Sequence, residues 1–247
     1  MIQTERSQKY GAMMCTYSCE PPIEGLHLMT AESMKEVFSD IFRNNRWAGS
    51  AGSVRSGPGS SLQATMIIRK KLSAIIDDLK IRSFVDAPCG DGTWIFDVSK
   101  NLDVYMGFDI VPEIVKANQE KGFPPSHTFA VADVTRDLLP AADAILCRDC
   151  LVHLPLDMAL KALRRFCESG CNYLMLTTFH ETALNREVPV GGWRPLNLLL
   201  SPFDLPPAFA VLRERVPDID DPYNDKSLGV WKIEDIKQLS PWYMQEP

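Results

Sequence analysis

The sequence of 247 residues contains no uninterrupted run of about 18 apolar residues, so no membrane-spanning helix is expected. Its start is polar and mixed in charge and lacks the apolar core of a secretory leader. Positive charge is not in excess. The 26 Lys and Arg stand against 32 Asp and Glu, and a net charge of −6 disfavours a nucleic-acid backbone as partner. There is no internal repeat and no cysteine framework. The 7 cysteines are odd in number and scattered, which suits a reduced, cytoplasmic setting. Cys147-x-x-Cys150 and Cys167-x-x-x-Cys171 have spacings that a zinc set could use. Cys147, however, falls inside an apolar, strand-like run, where a buried thiol is the better reading, and no metal is expected.

What the sequence does have is enough apolar material, 45% of residues, for one sizeable core. The rest of the chain is organised around Asp86-Ala87-Pro88-Cys89-Gly90-Asp91-Gly92-Thr93-Trp94. A short apolar run ends in an acid, a tight glycine turn follows, and a helix can start at Trp94. Such a junction exposes backbone N–H groups and lets a ligand approach the main chain. It is the crevice at the carboxyl end of the first strand of an open α/β sheet. A dinucleotide fingerprint needs a further glycine three residues after Gly92, and Ile95 stands there.

Residues 1–30 show no periodicity and are broken by Pro21, Pro22 and Gly25. From Thr30 the apolar residues Met34, Val37, Phe38, Ile41 and Phe42 recur at helical spacing, as a lid over the crevice or as a plain packing helix. Trp47 and the Gly/Ser-rich residues 49–61 follow. They read as a linker or, because they also hold Arg55 and Pro58, as a shaped loop. Ser60 and Ser61 are expected to cap a helix through Leu62, Met66, Leu72 and Ile76. Arg55 beside that helix start is a candidate carboxylate contact.

Beyond the glycine loop, residues 104–109 read as the second strand and end in Asp109. In this architecture an acid there accepts hydrogen bonds from both ribose hydroxyls of an adenosine, with Ile110 and Val111 beside the adenine. Residues 127–131 read as the third strand, followed by Asp133 and Val134. Residues 144–147 read as the fourth, followed by Arg148-Asp149 and His153. His153 is a candidate general base or a structural histidine bonded to a backbone carbonyl, and Asp149 is a second base or an orienter of substrate. A helix over 155–168 and a fifth strand over 172–179 complete the regular alternation. Strands over 211–216 and 227–232 form a closing hairpin, and residues 234–239 a short helix. The loop between the hairpin strands carries Asp218, Asp220, Asp221 and Asp225, a run that binds a hard cation or is simply solvated.

An acid followed by x-x-C-G-x-G, then Asp109, Asp133 and the Asp149/His153 stretch in this order, resembles the motif series of class I S-adenosylmethionine (SAM) dependent methyltransferases. Pro88 departs mildly from a more glycine-rich loop. The resemblance implies an α/β fold with a seven-strand, mostly parallel sheet in the order 3-2-1-4-5-7-6, helices on both faces and an N-terminal helical or loop cap. Residues 1–61 would be the tail and cap over the cofactor site, and 62–247 the methyltransferase domain. Within it, 180–226 would be an insertion shaping the acceptor pocket. SAM would contact Arg55, Asp86, Ala87, Gly90, Asp91, Gly92, Trp94, Asp109, Ile110, Val111, Asp133, Val134 and Arg148. His153 and Asp149 would be catalytic. Trp193, Arg194, Asn197, Tyr223 and Lys226 would hold the acceptor, unless the loop around Trp193 is only a surface loop anchored by one buried ring.

The implied reaction moves a methyl group to O or N of a small polar acceptor, sugar-like or a natural-product metabolite. No membrane or nucleic-acid partner is expected, and a homodimer is left open. Two alternatives remain at this point: an NAD(P)-dependent oxidoreductase on a related fold, and a non-catalytic SAM-binding partner protein.

Overall fold

The computed structural model describes residues 31–47, 56–215 and 223–244. The first helices are α1 (Ala31–Arg43) and α2 (Met66–Asp78). Next come β1 (Ser83–Asp86), α3 (Phe96–Ser99), β2 (Val104–Asp109), α4 (Pro112–Glu120) and β3 (His127–Val131). The chain continues through β4 (Ala144–Cys147), α5 (Leu156–Glu168), β5 (Tyr173–Phe179), β6 (Ala210–Arg213) and β7 (Lys226–Lys232). It ends in α6 (Ile233–Leu239) and α7 (Pro241–Met244). The sheet has the order β3-β2-β1-β4-β5-β7-β6. The five strands from β3 to β5 in that order run parallel, and β7 is antiparallel to both β5 and β6. Order and sense are those the sequence predicts.

The central strands are buried on both faces, which is why they read as continuous apolar runs. The pleat divides them. Phe84, Leu146 and Met175 pack with Ile68, Leu72 and Ile76 of α2 on one face. Val85, Ile145 and Leu174 pack with Ala159, Leu163 and Phe166 of α5 on the other. Each large apolar side chain buried in these layers stabilises the fold by roughly 1.5–3 kcal/mol. The same alternation puts Asp86 on the α2 face, beside Tyr105.

Two elements differ from expectation. Ser61 Oγ accepts the Ala64 N–H at 3.1 Å, but this closes only a turn; α2 begins at Met66, and Leu62 is exposed. β6 stops at Arg213, short of residue 216, because Glu214 turns inward to Arg148. The short helix α7, which pattern alone does not reveal, buries Trp242.

Candidate active site

The carboxyl ends of β1, β2 and β4 open on one edge of the sheet, and α1 covers that edge with Met34, Phe38 and Ile41. Together they enclose a cavity whose empty volume, counted out to its mouth, is about 980 Å³. The glycine turn forms its floor. The Cys89 N–H donates to the Phe108 carbonyl at 2.8 Å, which ties the turn to the end of β2. Gly90 then adopts φ +53, and a Cβ there would lie 3.1 Å from Ser56 Oγ. That same Oγ accepts the Asp91 N–H at 3.1 Å, so the segment around Ser56 closes directly over the turn. Both the backbone conformation and the tight space favour glycine. Asn118 of α4 supports the turn from below, its Nδ2 donating to the Gly90 carbonyl at 2.7 Å.

Asp109 stands at the end of β2. Its Oδ2 accepts the Gly90 N–H at 3.1 Å and its Oδ1 accepts the Val111 N–H at 3.0 Å. Burial pushes its carboxyl up to about 6, against the pull of these backbone N–H groups. At the end of β3, Asp133 Oδ1 accepts from the Thr135 N–H and hydroxyl at 2.9 and 2.7 Å. Asp133 Oδ2 is buried and finds no partner among the described residues. A buried carboxylate oxygen without a donor is costly. Its neighbours Ala132 and Val134 line the cavity. An adenosine fits this set: an amine donor for Asp133, hydroxyl donors for Asp109, and apolar walls at Ile110 and Val111. The residues present therefore suit SAM.

Asp86, by contrast, is not at the cavity. It accepts from the Tyr105 hydroxyl at 2.6 Å beneath the turn. Burial, the largest influence, pushes its carboxyl up to about 7, and the Tyr105 bond only partly opposes it. An unfolded aspartate titrates near 3.8. The folded state therefore binds this proton more tightly, and the stability it contributes is complete below about pH 4 and lost as pH rises through about 7. Asp86→Asn keeps an acceptor for Tyr105 without the titration. It is expected to melt several degrees above the parent at pH 8, with the gap closing towards pH 4 in a melting series.

The loop after β4 carries the charged part of the site. Arg148 packs its guanidinium over the Trp94 ring at 5.0 Å. It donates to Glu214 Oε2 at 2.6 Å and to the Gly59 carbonyl at 3.1 Å. Asp149 adopts φ +53 and lies 3.2 Å from Arg148 and 2.5 Å from Lys226 Nζ. Burial pushes the Asp149 carboxyl up, but Lys226 and Arg148 outweigh it and hold it well below the usual carboxylate range. So held, Asp149 is an anion whose charge favours orienting a partner over accepting a proton.

His153 ends the short 3₁₀ turn that follows (Leu151–His153) and faces the same cavity. Its Nδ1 lies 2.6 Å from the Gly192 carbonyl. A carbonyl only accepts, so Nδ1 carries the proton and Nε2 is the basic nitrogen. Burial pulls the imidazole below its ordinary value, partly offset by the Gly192 carbonyl and Asp149.

The structure thus brings Gly90, Trp94, Asp109, Ile110 and Val111 to one cavity with Val134, Arg148, Asp149 and His153. Ala87, Asp91 and Gly92 shape the turn without lining it. Ala87 donates its N–H to the Leu146 carbonyl, Asp91 Oδ1 accepts the Thr93 N–H, and Gly92 donates its N–H to the Cys89 carbonyl. Arg55, Asp218, Asp220 and Asp221 lie outside the described residues. Asp225 Oδ2 accepts the Glu181 N–H at 2.8 Å.

Four of the expected acceptor contacts sit elsewhere. Lys226 is paired with Asp149 and Glu214. Asn197 is used up inside its own loop, donating to the His180 and Thr182 carbonyls and accepting from Leu199. Arg194 is buried and donates to the Leu151 carbonyl at 2.9 Å, and burial pulls its guanidinium down to about 10. Trp193 is 40% exposed and packs edge-on against Tyr223 and Phe179, away from the cavity lining. The cysteines of the two spaced pairs are free thiols.

Sequence reasoning missed Ser56, Ser60, Asn118 and Glu214. Serines in a Gly/Ser-rich stretch, and an asparagine in a helix facing the turn, gave no distinct signal. Trp47 did give one, as a tryptophan has no place in a plain linker.

A family model described as a methyltransferase domain matches residues 85–175. No curated protein sequence matches the chain. Among solved structures, the methyltransferase domain of bacterial CtHen1-CN aligns with a TM-score of 0.51 at 13% identity, over 70% of this chain and 100% of that one. The corresponding CtHen1-C domain gives 0.50 at 12%, over 70% and 98%. The magnesium protoporphyrin IX methyltransferase of Synechocystis PCC 6803, solved with bound SAM, gives 0.46 at 17%, over 66% and 82%. The structural likenesses speak for the fold. The matched residues span the glycine turn, Asp109, Asp133 and His153, the series of strand ends that encloses the cavity. That match over residues 85–175, within a sheet of this order, supports a class I SAM-dependent methyltransferase.

Proposed function

We propose that the enzyme methylates a hydroxyl of a small metabolite, with His153 as general base. The observation that carries this reading is the Gly192 carbonyl at His153 Nδ1, which leaves Nε2 as a basic nitrogen on a residue lining the cavity. SAM supplies a methyl group already activated by its sulfonium charge. The chain's own part is to bind, align and accept a proton. Asp109 accepts from the ribose hydroxyls, Asp133 Oδ2 takes the adenine amine, and Ile110 and Val111 flank the base. Placement of the acceptor close to the methyl group accounts for most of the rate. His153 Nε2 takes the hydroxyl proton, and Asp149 nearby favours the imidazolium that forms. A neutral amine acceptor would need no such base.

The acceptor's polarity is less than a sugar's. Asn197 and Lys226 are committed within the protein. Arg194 does not line the cavity, although its Nε and Nη2 are buried without a partner among the described residues. Phe38, Trp47 and Leu154 supply apolar wall. We therefore favour a natural-product-like body carrying the reacting hydroxyl over a polyhydroxylated acceptor.

A panel of matched alcohols and amines, assayed for methyl transfer across pH, tests the reading. Alcohols are expected to turn over, with the rate falling on the acid side as His153 takes a proton. Preferred turnover of amines, with an acid limb that follows the pKa of each amine instead of a common enzyme group, would overturn it. The cofactor arm is separate. Asp109→Ala removes the acceptor of both ribose hydroxyls and leaves two backbone N–H groups without their partner. Calorimetry with the demethylated cofactor should show affinity reduced by about 100-fold, near 3 kcal/mol. Unchanged affinity would place the adenosine elsewhere.

A further inference from the structure

His153 is held by Trp47 and by a pair of glycines, of which the proton-transfer scheme uses only the Gly192 carbonyl. On one side is Trp47, in the turn that follows α1. Its ring stacks on the imidazole with centroids 4.4 Å apart and planes 26° from parallel. Phe38 of α1 meets the Trp47 ring edge-on at 5.9 Å and so braces it. On the other side are two glycines. The Gly192 carbonyl takes Nδ1–H, and the Gly191 N–H donates to the His153 carbonyl at 2.9 Å. Gly191 adopts φ +81, and a Cβ there would lie 2.7 Å from Ile41 Cδ1 and 3.1 Å from Val37 Cγ1. Helix α1 therefore packs straight onto the glycine backbone. The cap, the ring and the glycine pair form one packed unit around the histidine.

We infer that Trp47 and Gly191 are positioning residues for His153, fixing its tautomer and the plane of its ring so that Nε2 faces the acceptor. This rests on the reading of His153 as base. The ring contact sets the plane and excludes water from one face. The glycine pair sets the tautomer, because any side chain at 191 would lift α1 away and shift the carbonyl at 192. The charged groups that act on the imidazole are Asp149 from its own loop, Lys226 from β7 and Arg194 from the loop after β5. None belongs to α1, so the influence of the cap is packing and exclusion of water rather than charge. Without the Trp47 ring, water reaches the imidazole and its acidity returns towards the ordinary value.

The test uses the full chain and an alcohol acceptor. Trp47→Ala and Gly191→Ala are each expected to lower kcat by roughly 10–100-fold through misplacement of the base. The acid limb of the rate should move to higher pH in Trp47→Ala, where burial is relieved. Gly191 itself does not line the cavity, so Gly191→Ala should lose more in kcat than in affinity for the demethylated cofactor. Trp47→Phe, which keeps a stacking ring, should recover most of the rate and the parent acid limb. The inference falls if Trp47→Ala keeps the parent pH profile, whether or not its rate drops, while His153→Ala abolishes turnover. A His153→Ala enzyme with parental rate would instead remove the base reading itself. Should Gly191→Ala melt too low to assay, Val37→Ala relaxes the same contact from the helix side and should lower kcat in the same sense; a parental rate in that variant counts against the inference.

Discussion

Replacing His153 with alanine is expected to lower kcat for a hydroxyl acceptor by about 10²–10⁴-fold, the usual contribution of a positioned general base. Affinity for the cofactor should hardly change, because Asp109, Asp133 and the glycine turn do not depend on the imidazole. The pH profile provides an independent check. With His153 as the proposed base, activity is lost as pH falls through its pKa, which burial lowers from the ordinary 6.5. The parent rate should therefore be flat at neutral pH and fall in mildly acidic solution. In His153→Ala the remaining rate should instead rise steadily with pH, following the alkoxide fraction of the acceptor. Single-turnover measurements isolate the chemical step from product release. A variant that retains the parent rate and the parent acid limb would make His153 a structural histidine held to a carbonyl, the other reading its position allows.

Much of the site could be read from the chain because it lies where strands end. Asp109 follows an apolar run and falls 19 residues after Gly90, the residue whose N–H it accepts. Asp133 follows the end of β3 by two residues, and His153 lies in the turn beyond β4. Residues whose roles depend on direction were not legible. Asp86 also ends a strand, yet the pleat puts it on the face of Phe84 and Tyr105. The two-residue period holds that information, but the identity of the residue suggests a ligand contact. Arg194 and Asn197 look like acceptor contacts because they are polar and lie in a glycine-hinged loop. The Asn197 amide instead satisfies carbonyls of its own loop, and Arg194 turns inward to the Leu151 carbonyl through Nη1 alone, which no local pattern reveals. Glu214 is 66 residues from Arg148, and only the closing of the hairpin against β5 brings the two together. The helix α1 was legible as a helix, but its seat on Gly191 was not, since that needs the loop after β5 to return over the 3₁₀ turn.

The same hairpin closure sets up the largest expected loss of stability. Arg148, Asp149, Glu214 and Lys226 form a cluster of two cations and two anions, and the Arg148, Glu214 and Lys226 side chains are only 4%, 2% and 9% exposed. Lys226→Met preserves most of the apolar stem but leaves two carboxylates facing one guanidinium. Removing one partner from a buried pair typically costs 3–5 kcal/mol, and about this loss is expected here because Arg148 alone must then balance both carboxylates. For a chain of this length each kcal/mol is worth roughly 2–4 °C, so melting should fall by about 6–20 °C. The exposed pair Lys161–Asp157, at 59% and 64% exposure, provides the control, and Lys161→Met should cost no more than about 0.5 kcal/mol. Charge balance rather than lost contacts is the proposed cause, so Lys226→Met combined with Glu214→Gln, which removes one charge of each sign, should recover part of the loss. If the double variant melts at the sum of the two single losses, the cluster is held by packing alone and the electrostatic account of the loop that carries Asp149 and His153 is wrong.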